Sequence, residues 1–533
     1  MTVGGIASLL IAHDYLEAPL LKQKTAGRKP YDDFLTAGLA FLEDGDNSID
    51  IMQTVPDAKF IVGYNLFGLE RVGLASGLKY FGQHDWYAEL AGRVVKLQHA
   101  NGAWGRAGEG KNAIIDTAYV ILFLARGRHP VMMNKLRFDG FWTNRPRDAA
   151  NLAAYAGREM ERPVNWQVVN IDRTPQDWAD SPILYLASNR APTLSERDII
   201  NLRAFVENGG LLFTHADLGA DTFNAFAAKL ARDLFPGMAL ENLSPQHPLY
   251  SLNYKITSPR PRLQGVDNGV RLLMVHSPTD LSNAWQLRAS TSRREAFQIA
   301  VNLYLYATGK ERFRNRLDTP VVPEPPREPA PQIDIAQIQY DGDWNPEPAA
   351  WPRFGRAFQN RSGIRLLVHP AKPADLDPGK YLMAVMSGMT GRTPTDADLA
   401  PVGKFVRDGG TLLVDSCGGS GAFATAVEAW LAKLEPAAKL QPLAKDDPLL
   451  RQTVPGTIDL PREQLRLFAI DKIGATGTRM KAMALGKGRV IFTPLDVTSG
   501  LLGTNTWGIL GYLPEYAEAM MTNVVLQTSA AAK

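Results

Sequence analysis

One cysteine in this chain stands where a nucleophile could work. Val414-Asp415-Ser416-Cys417-Gly418-Gly419 ends a predicted strand and precedes a predicted helix. Glycines at such a junction permit the sharp strand-to-helix turn of a nucleophile elbow. The turn and the helix N-terminus are expected to lower the Cys417 pKa. A thiolate also needs a base, and the segment beyond the last predicted strand, Thr493-Pro494-Leu495-Asp496, holds no histidine. In an internal repeat described below, the residue opposite Cys417 is Asp217, while His276 lies near the matching strand of the first copy with no thiol to serve. The halves of a dyad are divided between two copies, so a small packing cysteine is favoured over a catalytic one.

Ionisable groups fall at the ends of the other predicted strands: Asp139, His215, Asp217 and Asp280 in the first copy, Asp341, Asp415 and Asp496 in the second. Three carboxylates on one rim could hold a divalent cation through oxygen, but Asp at a strand-to-helix junction also caps the helix that follows. Capping is favoured for Asp280 and Asp496; Asp139 and Asp341 stay open, and no metal or cofactor is predicted. Trp142 and Trp344 beside them read as core lids or as ligand platforms. His247-Pro248 against Asp447-Pro448 marks a turn that accepts either residue. The rim expected to bind a ligand in the second copy comprises Asp341, Ser387, Gly388, Asp415, Cys417, Gly418 and Asp496. Gly388 and Gly418 would admit the ligand to the backbone, and Asp341 and Asp496 would fix its donors. The first copy offers Asp139, Ser188, His215, Asp217 and Asp280, a different charge pattern.

What positions these groups is the repeat. AFVENGGLLFTHADLGADTF (204–223) lies over KFVRDGGTLLVDSCGGSGAF (404–423) at a spacing of 200. The register persists through Leu234, Pro236, Leu240 and Leu243 onto Leu434, Pro436, Leu440 and Leu443, and FDGFW (138–142) matches YDGDW (340–344) at a spacing of 202. Each copy reads as short apolar runs ending in Gly, Asp or Ser and alternating with capped helices. That grammar predicts a parallel sheet with right-handed crossovers, whose ligands sit beyond the carboxyl ends of the strands. Before residue 135 apolar residues recur at helical steps instead, as in Phe34, Leu35, Leu39, Phe41 and Leu42. Pro320, Pro323, Pro325, Pro326, Pro329 and Pro331 form an extended linker. The expected domains are 1–134, helical; 135–316, the first α/β copy; 317–332, the linker; and 333–530, the second copy. The apolar start MTVGGIASLLIA lacks a basic flank and reads as a buried helix rather than a signal peptide.

The elements Asp-Gly-x-Trp, Phe-Val-x-x-Gly-Gly-x-Leu-x-x-Asp/His and the later His/Asp-Pro-Leu resemble the bacterial domain of unknown function numbered 4159, carried twice, over 136–310 and 335–528. That resemblance implies a flavodoxin-like, class I glutamine amidotransferase-like fold for each copy and no settled activity. Gln98-His-Ala-Asn-Gly102-Ala-Trp104 is similar to the Gln-x-x-x-Gly-x-Trp repeat of terpenoid cyclases and prenyltransferases, and 64–77, 82–87 and 116–127 resemble successive helices of their α/α toroid. The resemblance implies a partial toroid, since about five helices fit where a closed ring has more. It implies antiparallel helix hairpins without a sheet over 2–130, with Trp104 packed near Gln98. It does not imply catalysis, because the cyclase Asp-x-Asp-Asp motif and the prenyltransferase zinc set are missing, and Asp44-Gly45-Asp46-Asn47 reads as a solvated turn.

Composition bounds the rest. A length of 533 residues suggests about three to five domains, and 45% hydrophobic with 21% charged residues is ordinary globular usage. Lys plus Arg 58 against Asp plus Glu 55 leaves +3, too weak a field to argue for a nucleic-acid or anionic-membrane partner. A single cysteine excludes an internal disulfide and a zinc site of several thiolates. No apolar run is as long as a membrane span, so a soluble protein is expected, of the periplasm, cell envelope or cytoplasm. The resulting expectation is a multidomain, non-catalytic protein that binds an unknown small-molecule or protein partner. The alternatives are a hydrolase or amidotransferase-like enzyme using Cys417, and a structural scaffold of the cell envelope.

Overall fold

The computed structural model describes residues 2–16, 31–50, 62–105 and 110–531. Helices α1 (Thr2–Leu16), α2 (Asp33–Glu43), α3 (Val62–Ser76), α4 (Trp86–Lys96) and α5 (Gly110–Gly127) come first. Asp32 and Asp85 start α2 and α4 by accepting the N–H groups of Leu35 and Ala88. Ile6, Leu10, Leu39, Leu69, Trp86 and Phe123 meet in the core these helices share. The Gln98 amide donates to Gly102 O at 2.9 Å and Trp104 Nε1 donates to Val94 O at 2.8 Å, which folds the Gln-to-Trp turn back onto α4. The expectation of a segment without a sheet, on which the toroid reading depended, is corrected here. β1 (Tyr80–Phe81) and β2 (His84–Asp85) pair antiparallel, because Gly82 at φ +58 lets the chain reverse tightly between them.

The first α/β copy holds β3 (Val131–Arg137), β4 (Asn165–Asn170), β5 (Ile183–Ser188), β6 (Leu211–Ala216), β7 (Glu241–Asn242), β8 (Gln264–Asp267) and β9 (Leu272–Ser277). Its helices are α6 (Asp148–Glu159), α7 (Pro175–Trp178), α8 (Glu196–Glu207), α9 (Asp221–Leu234), α10 (Ser282–Gln286) and α11 (Arg294–Ala307). The second holds β10 (Gln332–Ile338), β11 (Arg365–Ala371), β12 (Met383–Gly388), β13 (Thr411–Ser416), β14 (Gln441–Pro442), β15 (Lys481–Leu485) and β16 (Gly488–Thr493). Its helices are α12 (Ala350–Ser362), α13 (Asp396–Arg407), α14 (Gly421–Leu434), α15 (Leu467–Ile473), α16 (Thr498–Leu502) and α17 (Pro514–Ala531).

The two sheets run β4-β3-β5-β6-β9-β8-β7 and β11-β10-β12-β13-β16-β15-β14, so the strand order is the same in both. The first five positions are parallel and, numbered along the chain, read 2-1-3-4-5. That is a doubly wound order, with its switch point between strands one and three. Wholly parallel sheets were expected; the far edge corrects this, since β8 with β7 and β15 with β14 run antiparallel. The chain passes from β8 to β9 through Asn268 to Arg271 alone, too short for a crossover helix.

Local signals set the matching turns. Ser195 with Asp198 and Thr395 with Asp398 form capping boxes that start α8 and α13. Both helices stop at a left-handed glycine, Gly209 (φ +95) and Gly409 (φ +122). Apolar layers lie on both faces of each sheet. Leu78 bridges Val168 and shields the β4 edge, and a Lys79–Asp180 ion pair of 2.9 Å ties the helical segment to the first copy. Trp507 of the second copy inserts into the core of the first. The proline-rich stretch is held against α12, where Arg353 Nε donates to Pro320 O and Asn360 to Pro323 O. No described helix is long and apolar enough to cross a membrane.

Candidate functional site

In copy one the buried polar groups gather at the carboxyl ends of β6 and β9. His215 Nε2 accepts the N–H groups of Leu281 at 2.8 Å and Ser282 at 3.2 Å. The ring proton therefore resides on Nδ1 and is donated to Asp217 Oδ1 at 3.1 Å. Asp217 also accepts from Asn144 Nδ2 and Ser282 Oγ, each at 2.9 Å. Burial works to raise the Asp217 pKa, but the His215 and Asn144 bonds overcome it and hold the group at about 2. Asp280 Oδ1 accepts Asn283 N–H at 3.0 Å, inside the first turn of α10, and Oδ2 receives Arg145 at 3.2 Å.

His215, Asp217 and Asp280 bring ligand-capable atoms within 4.8 Å of one another. Both imidazole nitrogens are already engaged, however, and a cation bound there would strip α10 of its acceptor. Ser188 Oγ accepts Arg190 N–H in its own turn, and Asp139 is exposed, apart from the buried cluster. His276 lies between Thr214 Oγ1 at 2.9 Å and Asn224 Oδ1 at 3.0 Å, and burial pushes its pKa down to about 4.

Copy two puts Asp415 where copy one has His215. Asp415 Oδ2 accepts Thr498 N–H at 3.2 Å and Thr498 Oγ1 at 2.9 Å, and Oδ1 accepts Ser387 Oγ at 2.5 Å. Asp496 accepts Gly418 N–H at 2.6 Å, Ser499 N–H at 2.8 Å and Ser499 Oγ at 2.9 Å. Burial raises Asp496 to about 6 against the pull of Arg466, with Asp415 adding to the rise. Burial likewise raises Asp415 in spite of its hydrogen bonds. The Cys417 Sγ lies 3.8 Å from Asp415 Oδ2.

The expected lowering of the Cys417 pKa is corrected. Burial first, then Asp415 and Asp496, push the thiol well above its ordinary value. Burial and two carboxylates outweigh what the N-terminus of α14, the helix that Cys417 precedes, supplies. Among the described residues its hydrogen-bond partners are Asp415 and Thr498, not a histidine.

The space expected for a ligand is also taken. A Cβ on Gly388 would lie 2.2 Å from the Phe423 ring, and one on Gly418 (φ +68) would face Val270 Cα at 3.8 Å and Gly269 O at 3.9 Å. Gly388 thus makes room for a core ring, while Gly418 is required by its left-handed backbone and lies within contact distance of the β8–β9 turn of copy one, which seats on the copy-two rim. Arg271 from that turn grips Glu347 with Nε at 2.8 Å and Nη2 at 3.1 Å, both side chains fully buried. Asn268 Nδ2 adds bonds to Pro346 O and Glu347 Oε1. Asp341 is exposed and, among the described residues, hydrogen-bonds none of these groups.

Sequence reasoning missed Asn144, Arg145, Glu347 and Arg466. The matched loops carried a signal for two of them, since Arg145 in FWTNRP stands opposite Glu347 in DWNPEP, a reversal of charge. Arg466 belongs to a stretch between Leu450 and Lys481 that is longer than its counterpart between Tyr250 and Gln264, so the repeat had nothing to align with it. It is buried, and its Nε donates to Tyr512 O at 3.0 Å.

The family described as Domain of unknown function (DUF4159) matches residues 131–308 and 334–491. No curated protein matches the chain. Among solved structures, the exo-beta-1,4-mannosidase Op5Man5 from Opitutaceae bacterium strain TAV5 aligns at 12% identity over 66% of this chain and 60% of its own, with a TM-score of 0.21. A catalytic mutant of Gan42B, a GH42 beta-galactosidase from G. stearothermophilus, aligns at 10% identity over 94% of this chain and 64% of its own, also with a TM-score of 0.21. The chain spans less than two thirds of either length, and likenesses of that score carry no argument about fold or activity.

Proposed function

The chain belongs to the DUF4159 family, whose domain it carries twice, and from that premise we propose that it is a non-catalytic binding protein. In this reading two flavodoxin-like, class I glutamine amidotransferase-like modules follow a mainly helical N-terminal segment and serve recognition rather than turnover. The observation that carries the reading is the setting of Cys417. Its thiol is 1% exposed, is pushed toward the protonated form by burial and by Asp415, and its neighbour Gly418 faces the β8–β9 turn of copy one. A nucleophile needs a thiolate, a base and a path for substrate. In copy one the histidine at the matching strand end is committed to the α10 N-terminus.

The test compares the parent protein with Cys417→Ala for hydrolysis of amide and ester substrates, and measures Cys417 labelling by a disulfide reagent. Labelling is expected only after denaturant is added, with no turnover in either form. Thiol-dependent turnover that vanishes in the variant would replace this reading with the hydrolase.

A further inference from the structure

A cavity between α2–α3 and the β3–β4 edge of copy one has a volume of about 380 Å³, in the range of small-molecule sites. We propose that this cavity binds an uncharged, ring-bearing small molecule. The proposal rests on the binding reading above and gives it a place. Tyr31, Trp142 and Trp166 wall the cavity, with Leu39, Leu78 and Val168 between them. Flat aromatic faces of this kind favour a ring that can stack or meet them edge to face.

The walls are formed before any ligand arrives. A Cβ on Gly77 would lie 2.5 Å from the Trp166 ring, so the backbone itself braces the indole. Gly77 O in turn accepts Val168 N–H at 2.7 Å, which pins that backbone to β4. Preorganised walls spare a ligand the cost of ordering them.

The charges along the cavity decide the ligand class. Lys135 Nζ already donates to Asp148 at 2.6 Å and to Arg145 O at 2.7 Å. Arg137 pairs with Glu43 of α2 at 3.0 Å. With Lys135 and Arg137 each matched by a carboxylate, the wall offers a ligand no net charge, which favours a neutral ring. The repeat supplies a control: Lys135 and Arg137 face Gln337 and Gln339 in copy two, and Trp344 packs against the core of its own sheet. The cavity therefore depends on the helical segment, which contributes Tyr31, Leu39, Glu43 and Leu78.

The test titrates the full chain with N-phenyl-1-naphthylamine, a neutral probe whose emission rises in apolar surroundings. Expected is a saturable, single-site rise with energy transfer from tryptophan. Trp142→Ala, and Ala40→Phe, which fills the cavity, are each expected to weaken it about ten-fold, while Trp344→Ala leaves it unchanged. Trp142→Phe keeps a ring in place and retains most of the affinity, which separates a lost wall from a lost fold. A rise that does not saturate, an equal loss in Trp344→Ala, or tighter binding of the anionic 1-anilinonaphthalene-8-sulfonate overturns the proposal. The Cys417 experiment reads a different site, so the cavity and the non-catalytic reading fail separately.

Discussion

In copy one a histidine receives the first N–H groups of the short helix after the last parallel strand; in copy two an aspartate receives them. The strand positions are the same, and so is the bonding task. The consequences for charge are opposite. His215 brings a donor to Asp217 and helps keep that buried carboxyl ionised, with a pKa of about 2. Asp415 brings a second carboxylate beside Asp496 and Cys417, and both neighbours move toward their protonated forms. The covers differ as well. Copy one places its own Asn144 and Arg145 against the rim, whereas copy two is covered by the β8–β9 turn of copy one. A shared fold thus fixes where polar groups stand, while their neighbours fix what charge they carry.

Breaking the cover should have the largest effect. Arg271→Ala strands Glu347 without its partner in a dry interface and is expected to cost about 3–5 kcal/mol, read from urea unfolding, with the two copies melting apart. Arg489 of β16, part-exposed and 4.0 Å from Asp447, should cost no more than about 1 kcal/mol when changed to Ala. Similar costs for the two would remove the distinction drawn between the covers.

The pH dependence of stability comes next. Asp496 is raised in the folded state, so the folded protein holds its proton where the unfolded chain has released it. Stability from this group is present below the unfolded pKa of 3.8 and is lost as pH rises to about 6, on the order of 2–3 kcal/mol. Asp217 is depressed, so its contribution is present above 3.8 and is lost as pH falls toward about 2. Unfolding of parent and Asp496→Asn at a series of pH values between 4 and 7 should show a decline in the parent that the variant lacks. Parallel profiles would mean that Asp496 is not the group held protonated.

The smallest of these effects tests the histidine. His215→Ala leaves the N–H groups of Leu281 and Ser282 without their acceptor and Asp217 without a donor, at an expected cost of about 1–3 kcal/mol. Its signature is a raised Asp217 pKa, measurable as a shallower loss of stability as pH falls from 3.8 toward about 2. An unchanged acid limb would show that Asn144 and Ser282 suffice to hold the carboxylate.

Much of the frame was legible in the chain itself. The spacing of 200 between the Gly-Gly turns aligned His215 with Asp415 and Asp217 with Cys417, and the two sheets have one strand order. The Asn302 and Asn523 side chains, matched in the last helix of each copy, both donate to the carbonyl of the matched Leu249 or Leu449. His247 and Asp447 each accept the N–H two residues on, which explains how one turn takes either residue. The antiparallel edge strands were missed because β7 and β14 are two residues long and β8 is four, too short to show an alternation. The small hairpin before α4 escaped notice for the same reason.

By itself the sequence determined what depends on residues within a turn or two of one another: strand and helix periodicity, the Ser195 and Thr395 caps, the left-handed glycines and the equivalence of the two copies. Tertiary structure alone decided the state of the rims. That Gly418 faces Val270, that Arg271 meets Glu347, and that Cys417 is driven up rather than down depend on groups far apart in the chain and on the exclusion of water between them. Coulomb interaction and desolvation act through space and grow as the medium dries, so no reading along the chain could assign their sign.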